Sequence, residues 1–332
     1  MLLEQIKNSI FVQNSIKMKR FLVILIGLFF LNGCDDGNLT QESIDFEDIA
    51  TQSCSTNNII YKLKEKEALL LVIPNTVFPS EPATTIINID ASNQVFYRFY
   101  DGTVTSNSIC NTVPPITPVA INQWIATSGK IQITTTTIKT TNTTDNSTRI
   151  TGYNHNIVFK DITFLRSDGT SQLNETMVFG DYTTSATSFP VVFDKVLEKC
   201  SLNTPNQLYD YNSSESLTLN VDPALLSTTT LNTVKTGLIS TTTNKLTYRV
   251  FSGLLTASYF CNVTTPTTPI ISQEWIALNG VSAVSGIIEV ITVSNGPGSF
   301  KHTITLKKVT LKNGNNDFSL GDSYLYGDLL TN

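Results

Sequence analysis

Two histidines, His155 and His302, and two repeated acidic pairs are the residues of this chain best suited to acid–base chemistry. Asp181 and Asp328 each follow an aromatic–glycine pair, and Glu67 and Glu215 each open one of two matched segments, "EALLLVIP" and "ESLTLNVD". Glycoside hydrolysis uses two carboxyl groups that flank the scissile bond. An Asp and a Glu present in both halves are therefore the arrangement to look for, although nothing in the sequence brings them together. Neither histidine has a Ser or Cys nucleophile motif beside it. A G-x-S-x-G elbow, an H-E-x-x-H pair and a P-loop are all absent. The stretch "NGNND" at 313–317 has oxygen ligands suited to Ca²⁺, but it lacks EF-hand spacing, and the other half has "SDGTS" there. It reads as a loop, and no metal or other cofactor is expected.

The aromatic residues are a second set of candidates. Trp124 and Trp275 end two matched stretches, "CNTVPPITPVAINQW" (110–124) and "CNVTTPTTPIISQEW" (261–275). A Trp in that setting reads as a core residue packed near a cysteine. A face open to sugar stacking is the binding alternative, since an aromatic ring suits a glycan as readily as a core. Tyr97 with Arg98, and Tyr248 with Arg249, alternate along their segments, so one member of each pair faces outward. A structural ion pair for each Arg, with Asp181 or Asp328 as partner, is expected ahead of a ligand site.

These residues recur because the chain is duplicated. Phe96–Gly129 aligns without a gap on Thr247–Gly280, matching Tyr97/Tyr248, Arg98/Arg249, Cys110/Cys261, Pro118/Pro269 and Trp124/Trp275. The match extends upstream through Cys54/Cys200 and "EALLLVIP"/"ESLTLNVD". Downstream it continues through "HNIVFKDITF"/"HTITLKKVTL". Apolar and polar residues alternate in "TLNV" (218–221), "HTITLKKVTL" and "KIQITTTTIKT" (130–140), with Asp-Gly and Asn-Gly turns between strands, and no segment after residue 50 sustains a 3.6-residue apolar period. The fold class is therefore all-β, as two tandem homologous β-sandwich-like domains over 51–185 and 186–332.

Composition agrees with that reading. Only 15% of the 332 residues are charged, and Thr, Ser and Asn supply the polarity, as on the exposed face of a pleated sheet. Without residues 1–33 the net charge falls from −5 to −8. Such a chain would not neutralise phosphates, so nucleic acid is not an expected partner.

The N-terminus carries an address. Met18-Lys19-Arg20 precedes eleven apolar residues, Phe21–Leu31, followed by Asn32-Gly33-Cys34. That run suits a signal-peptide core over 1–33, with Met18 as the expected true start, and is too short to span a bilayer. The ending "LNGC" resembles the lipobox of bacterial lipoproteins, although Asn32 departs mildly from it. The resemblance implies a lipidated Cys34 and a membrane partner. An acidic tether follows over 34–50, "DDGNLTQESIDFED" at its centre. Acidic residues placed there resemble the surface-export signal of Bacteroidota lipoproteins; in enterobacteria an Asp at that position would instead imply inner-membrane retention.

With Cys34 assigned to lipid, four cysteines remain in a chain expected to meet oxidising conditions. The duplication selects Cys54–Cys110 and Cys200–Cys261 from the three possible pairings; two Cys per repeat without nearby repeated His give too few ligands for zinc. The order Cys, Cys, Trp departs from the immunoglobulin pattern. The expected function is a non-catalytic outer-membrane lipoprotein at the cell surface. Its duplicated β domains would bind a glycan or envelope protein, or serve an envelope structural role. The competing class is an extracellular polymer-degrading enzyme, such as a glycoside hydrolase, with its site between the domains.

Overall fold

Alternation in the sequence becomes strand wherever one face of the segment can be buried. The computed structural model describes residues 43–200 and 206–332; the expected signal peptide over 1–33, Cys34 and the first part of the expected tether lie outside them. The first repeat runs through β1 (Gln52–Ser53), β2 (Ile59–Lys64), β3 (Glu67–Val72), β4 (Ala83–Asn88) and β5 (Gln94–Tyr100). Three long strands complete it: β6 (Ala120–Thr141), β7 (Thr148–Leu165) and β8 (Ser171–Ser185). They form one curled sheet in the order β1-β2-β3-β5-β6-β7-β8, with β4 paired to the far half of β6.

A single strand can serve two layers only if its inward parity changes. In β6, Trp124 and Ala126 point into the core, and further along Ile131, Ile133 and Thr135 do. The switch from even to odd positions coincides with register shifts against β7 between Ala126 and Lys130, as an inserted residue requires. Gly129 sits in this bend at φ 129°, where a Cβ would lie 2.8 Å from the Cα of Ile162.

The second repeat breaks the same path into shorter pieces. Its strands are β9 (Val196–Lys199), β10 (Gln207–Tyr211), β11 (Glu215–Asn220), β12 (Val234–Leu238), β13 (Lys245–Phe251) and β14 (Ile271–Ala277). They continue as β15 (Ile287–Ser294), β16 (Phe300–Lys307), β17 (Thr310–Asn313), β18 (Asn316–Ser319) and β19 (Tyr324–Thr331). β14 and β15 together correspond to β6, while β9 joins the two layers by pairing parallel to β19 and antiparallel to β10. The architecture is all-β with two sandwich-like repeats, and both belong to one compact unit, Phe46–Asn332.

Each repeat holds its incoming segment with one buried charge. Lys62 pairs with Leu69 in β3, and Asp210 pairs with Leu217 in β11, so the two occupy equivalent positions. Lys62 donates to the carbonyl of Phe46 at 2.8 Å, whereas Asp210 accepts from the amide of Lys195 at 3.0 Å. A cation serves the carbonyl and an anion serves the N–H. Burial lowers the pKa of Lys62, opposed by Asp181, Glu47 and Asp48. Burial and the neighbouring Asp194 push Asp210 up to about 7. The repeated glycines Gly180 and Gly327 allow this approach: at Gly327 (φ 153°) a Cβ would meet the Lys195 carbonyl at 2.4 Å.

Disulfides close the outer face of each repeat. Cys54–Cys110 packs with Tyr61, Leu70, Tyr100, Val104 and Ile109, and Cys200–Cys261 packs with Tyr209, Phe251, Leu255, Tyr259 and Phe260. Such bridges mark a chain that folds in an oxidising, extracytoplasmic setting. They span 56 and 61 residues, for which loop closure predicts a stabilisation of about 4 kcal/mol each. Replacing Cys200 and Cys261 together with Ala should therefore lower the unfolding free energy by about 2–5 kcal/mol in denaturant titration. Peptide mapping without reduction should recover Cys54 linked to Cys110.

Candidate functional site

The two histidines are the clearest case of potential chemistry turned to structure. Both are fully buried. His155 lies between Thr135 (Nδ1, 2.8 Å) and Thr184 (Nε2, 2.9 Å). His302 lies between Thr292 (2.8 Å) and Thr331 (2.9 Å) in the same way. Each ring thus bridges three adjacent strands through hydroxyls, which can donate or accept as a neutral imidazole demands. Burial lowers both pKa values, and Lys235 and Lys199 lower that of His302 further.

The repeated carboxylates are engaged separately. Asp181 accepts from Asn156, and Asp328 accepts from Thr303 (2.6 Å) and meets Lys301 (3.4 Å). Glu67 accepts from the Tyr97 hydroxyl at 2.7 Å, and buried Glu215 accepts from Asn212 at 3.0 Å. The arginines were expected to pair with Asp181 or Asp328. Instead Arg98 donates to Gln123 and Arg249 to Glu274, both at 2.6 Å on the neighbouring strand. Cross-strand register decides this, since Arg98 faces Gln123 and Arg249 faces Glu274 directly. Among the described residues no group of three or more His, Cys, Asp or Glu could hold a metal ion.

Both tryptophans are buried at 3% exposure. Trp124 stands edge-on to Tyr97, with the Arg166 guanidinium 4.4 Å from its ring. Trp275 packs on Phe318 and Phe189 and donates from Nε1 to Gln273. Tyr97 and Tyr248 are also buried, with Arg98 and Arg249 half-buried beside them. Four of these six residues therefore face the core. Trp275 also borders an open space.

That space is a cleft of about 740 Å³ between the repeats. Its walls come from five segments: Pro79–Glu81 before β4, the start of β7, the connection at Ser185–Phe189, β14, and the β17–β18 turn. The start of β7 reaches across because the first repeat carries a longer hairpin. The Thr and His that share a hydrogen bond are twenty residues apart in the first repeat and ten in the second. The extra length extends β6 and β7 onto the second repeat. There Thr148 accepts from the amide of Ser319 (2.8 Å), Lys139 pairs with Asp317 (2.7 Å), and Asn146 donates to Asp322 (2.6 Å). Arg149 donates to the carbonyls of Thr148 and Ser319, and its guanidinium lies 5.3 Å from the Phe318 ring. From the other side, Asn315 and Asn316 of the "NGNND" turn donate to Glu81, Pro82 and Ser80. That turn is an inter-repeat contact.

The cleft combines one cation, Arg149, and one carboxylate, Glu81, with amides and hydroxyls over an apolar floor of Ile150, Phe189, Trp275 and Phe318. Burial lowers the Arg149 pKa, while Tyr248, Tyr324, Asp145 and Glu215 oppose the shift. Such a lining can orient a polar ligand by hydrogen bonds and bury its apolar faces. Trp275 and the "NGNND" stretch that supplies Asn313 and Asn316 stood out in the sequence, the latter for a different reason; Glu81, Arg149 and Phe189 did not, because they lie outside the segments that the two repeats visibly share. The chain matches no protein-family model, no curated protein and no solved structure.

The buried groups fix a pH dependence. Unfolded His takes up a proton below about pH 6.5, while buried neutral His155 and His302 resist it, so their contribution to stability is lost as pH falls. Asp210 acts oppositely: protonated when folded up to about pH 7 and ionised when unfolded above about pH 4, it lowers stability as pH rises. In Asp210→Asn, stability should accordingly rise more steeply from pH 5 to 6.5 than in the native chain. In the His155→Gln/His302→Gln variant it should fall over the same interval. Urea titrations at several pH values measure both slopes.

Proposed function

We propose that this is an exported bacterial lipoprotein, anchored through Cys34 and displayed at the outer membrane surface, whose β unit binds a ligand without catalysis. The observation that carries this reading is the inter-repeat cleft. It has the volume and mixed lining of a ligand site, and Glu81 is the carboxylate that borders it. A glycosidase site would need a second acid across the bond. Asp181 and Asp328, the candidates for that role, are occupied by neighbours on their own sheets. The ligand class that suits amides, hydroxyls and a partly open aromatic wall is an oligosaccharide.

The test uses a glycan array and calorimetry with the purified protein. Binding of at least one polysaccharide fragment is expected. Thr187→Trp, which adds bulk at an exposed wall residue, should weaken it at least tenfold without changing the melting temperature. A blank across the array overturns the glycan reading. Cys34→Ser should move the protein from the membrane to the soluble fraction; continued membrane retention removes the anchor from the proposal.

A further inference from the structure

The matched stretches that follow Cys110 and Cys261 form two loops that neither the core nor the cleft absorbs. Val113, Ile116, Val119 and Ile121 are 81%, 93%, 50% and 67% exposed, and in the second repeat Val263 and Ile270 are 80% and 64% exposed. Single exposed apolar side chains are ordinary on protein surfaces. Here they occur on equivalent loops, although only Val119 and Ile270 align position for position and Ile121 lies just inside β6, and no charged residue lies between Asn111 and Gln123 or between Asn262 and Gln273. The loops are held at their bases. Each begins at a disulfide; Asp101 brackets Val119 through its amide and carboxylate, and Ser252 donates to the Ile270 carbonyl. They are therefore anchored turns that expose aliphatic side chains, Val113 and Ile116 within the first and Val263 and Ile270 on either side of a Thr-Pro run in the second.

We infer that these two loops are membrane-contact loops that insert their aliphatic tips into the bilayer surface beside the lipid anchor. The position of the anchor selects the bilayer as occupant. Eleven residues separate Cys34 from Phe46, where the compact unit begins, and that chain spans at most about 40 Å. The unit is thus confined within reach of the membrane, where even weak insertion is effective. The chain is acidic, so the contact has to come from apolar burial, without attraction to anionic lipid. The nearness of the membrane rests on the Cys34 reading; the character of the loops does not.

The experiment places a reporter on each tip, Ile116→Trp and, separately, Val263→Trp, in the full-length lipoprotein reconstituted in phosphatidylcholine vesicles. Native Trp124 and Trp275 are buried and give a constant background. The added Trp should emit at shorter wavelength in vesicles than in detergent-free buffer, and lipids brominated on the acyl chain should reduce its emission roughly twofold. Mass spectrometry of the N-terminus, run on the same sample, scores the anchor independently. An acylated protein whose added Trp is unshifted and unquenched overturns the loop inference and leaves the anchor standing. An unacylated protein that is nonetheless quenched when vesicles are added supports the loops and removes the anchor. A shift that grows with protein concentration in the absence of vesicles assigns the loops to a second copy of the chain and overturns the inference.

Discussion

A set of polar contacts centred on one half-buried guanidinium holds the two repeats as a unit. Arg149 crosses from the first repeat, gives its hydrogen bonds to the carbonyls of Thr148 and Ser319, and lays its planar face near Phe318. Taking an arginine out of water is costly unless its donors are met and its face is covered. The arrangement does both, and Ile150 next to it joins the partly buried shell of the second repeat's core. The contacts of Lys139, Asn146 and Thr148 lie beside that crossing, and the β17–β18 turn is seated separately on Ser80–Pro82. Without these contacts together the wall formed by Ile150 and Tyr153 would have nothing opposite.

The repeats show how one fold meets the same constraint with different chemistry. Each must bind the segment that enters its sheet, and each places a single ionisable group at the same register position to do so. In the first repeat the exposed need is a carbonyl, so the group is Lys62; in the second it is an amide, so the group is Asp210. An isolated buried charge would be neutralised by its surroundings. Lys62 keeps acidic neighbours, while Asp210 moves to about pH 7 and carries its own proton over much of the acid range. The histidines show the reverse: their chemistry is the same in both repeats, a neutral ring between two threonine hydroxyls. Identity in both copies therefore marks packing, and divergence marks where each copy meets something outside itself.

That distinction explains what could be read from residues alone. Alternation in "HTITLKKVTL" and the Asn-Gly and Asp-Gly turns specify strands because burial on one face forces a period of two. Duplication then ties Cys54 to Cys110 by analogy with Cys200 and Cys261. The cleft was hidden because its key residues, Glu81, Arg149 and Phe189, have no counterparts to single them out. A trace of it was present. The separation of Thr135 from His155 is twice that of Thr292 from His302, and extra residues in a hairpin must project beyond the sheet. Reading those offsets as an extension needs the Thr–His hydrogen bond as a fixed point, which only the fold supplies. The partners of Arg98 and Arg249 were hidden for a related reason: cross-strand register, not distance along the chain, chooses them.

The stretch from Cys to Trp brings these strands of argument together. Its ends are structural: the cysteine is bridged, and the tryptophan is buried against aromatic neighbours. Its middle is exposed and uncharged in both copies, with Val113 and Ile116 in the first and Val263 and Ile270 in the second, although the apolar positions differ between the copies. A loop exposed only to water has no physical reason to keep such a composition, because every exposed Val or Ile there adds apolar surface that water must accommodate. Packing accounts for the two ends and cannot account for the centre. The centre is best explained by a surface that the folded unit meets from outside, and the membrane to which the chain is proposed to be tethered is within reach of it.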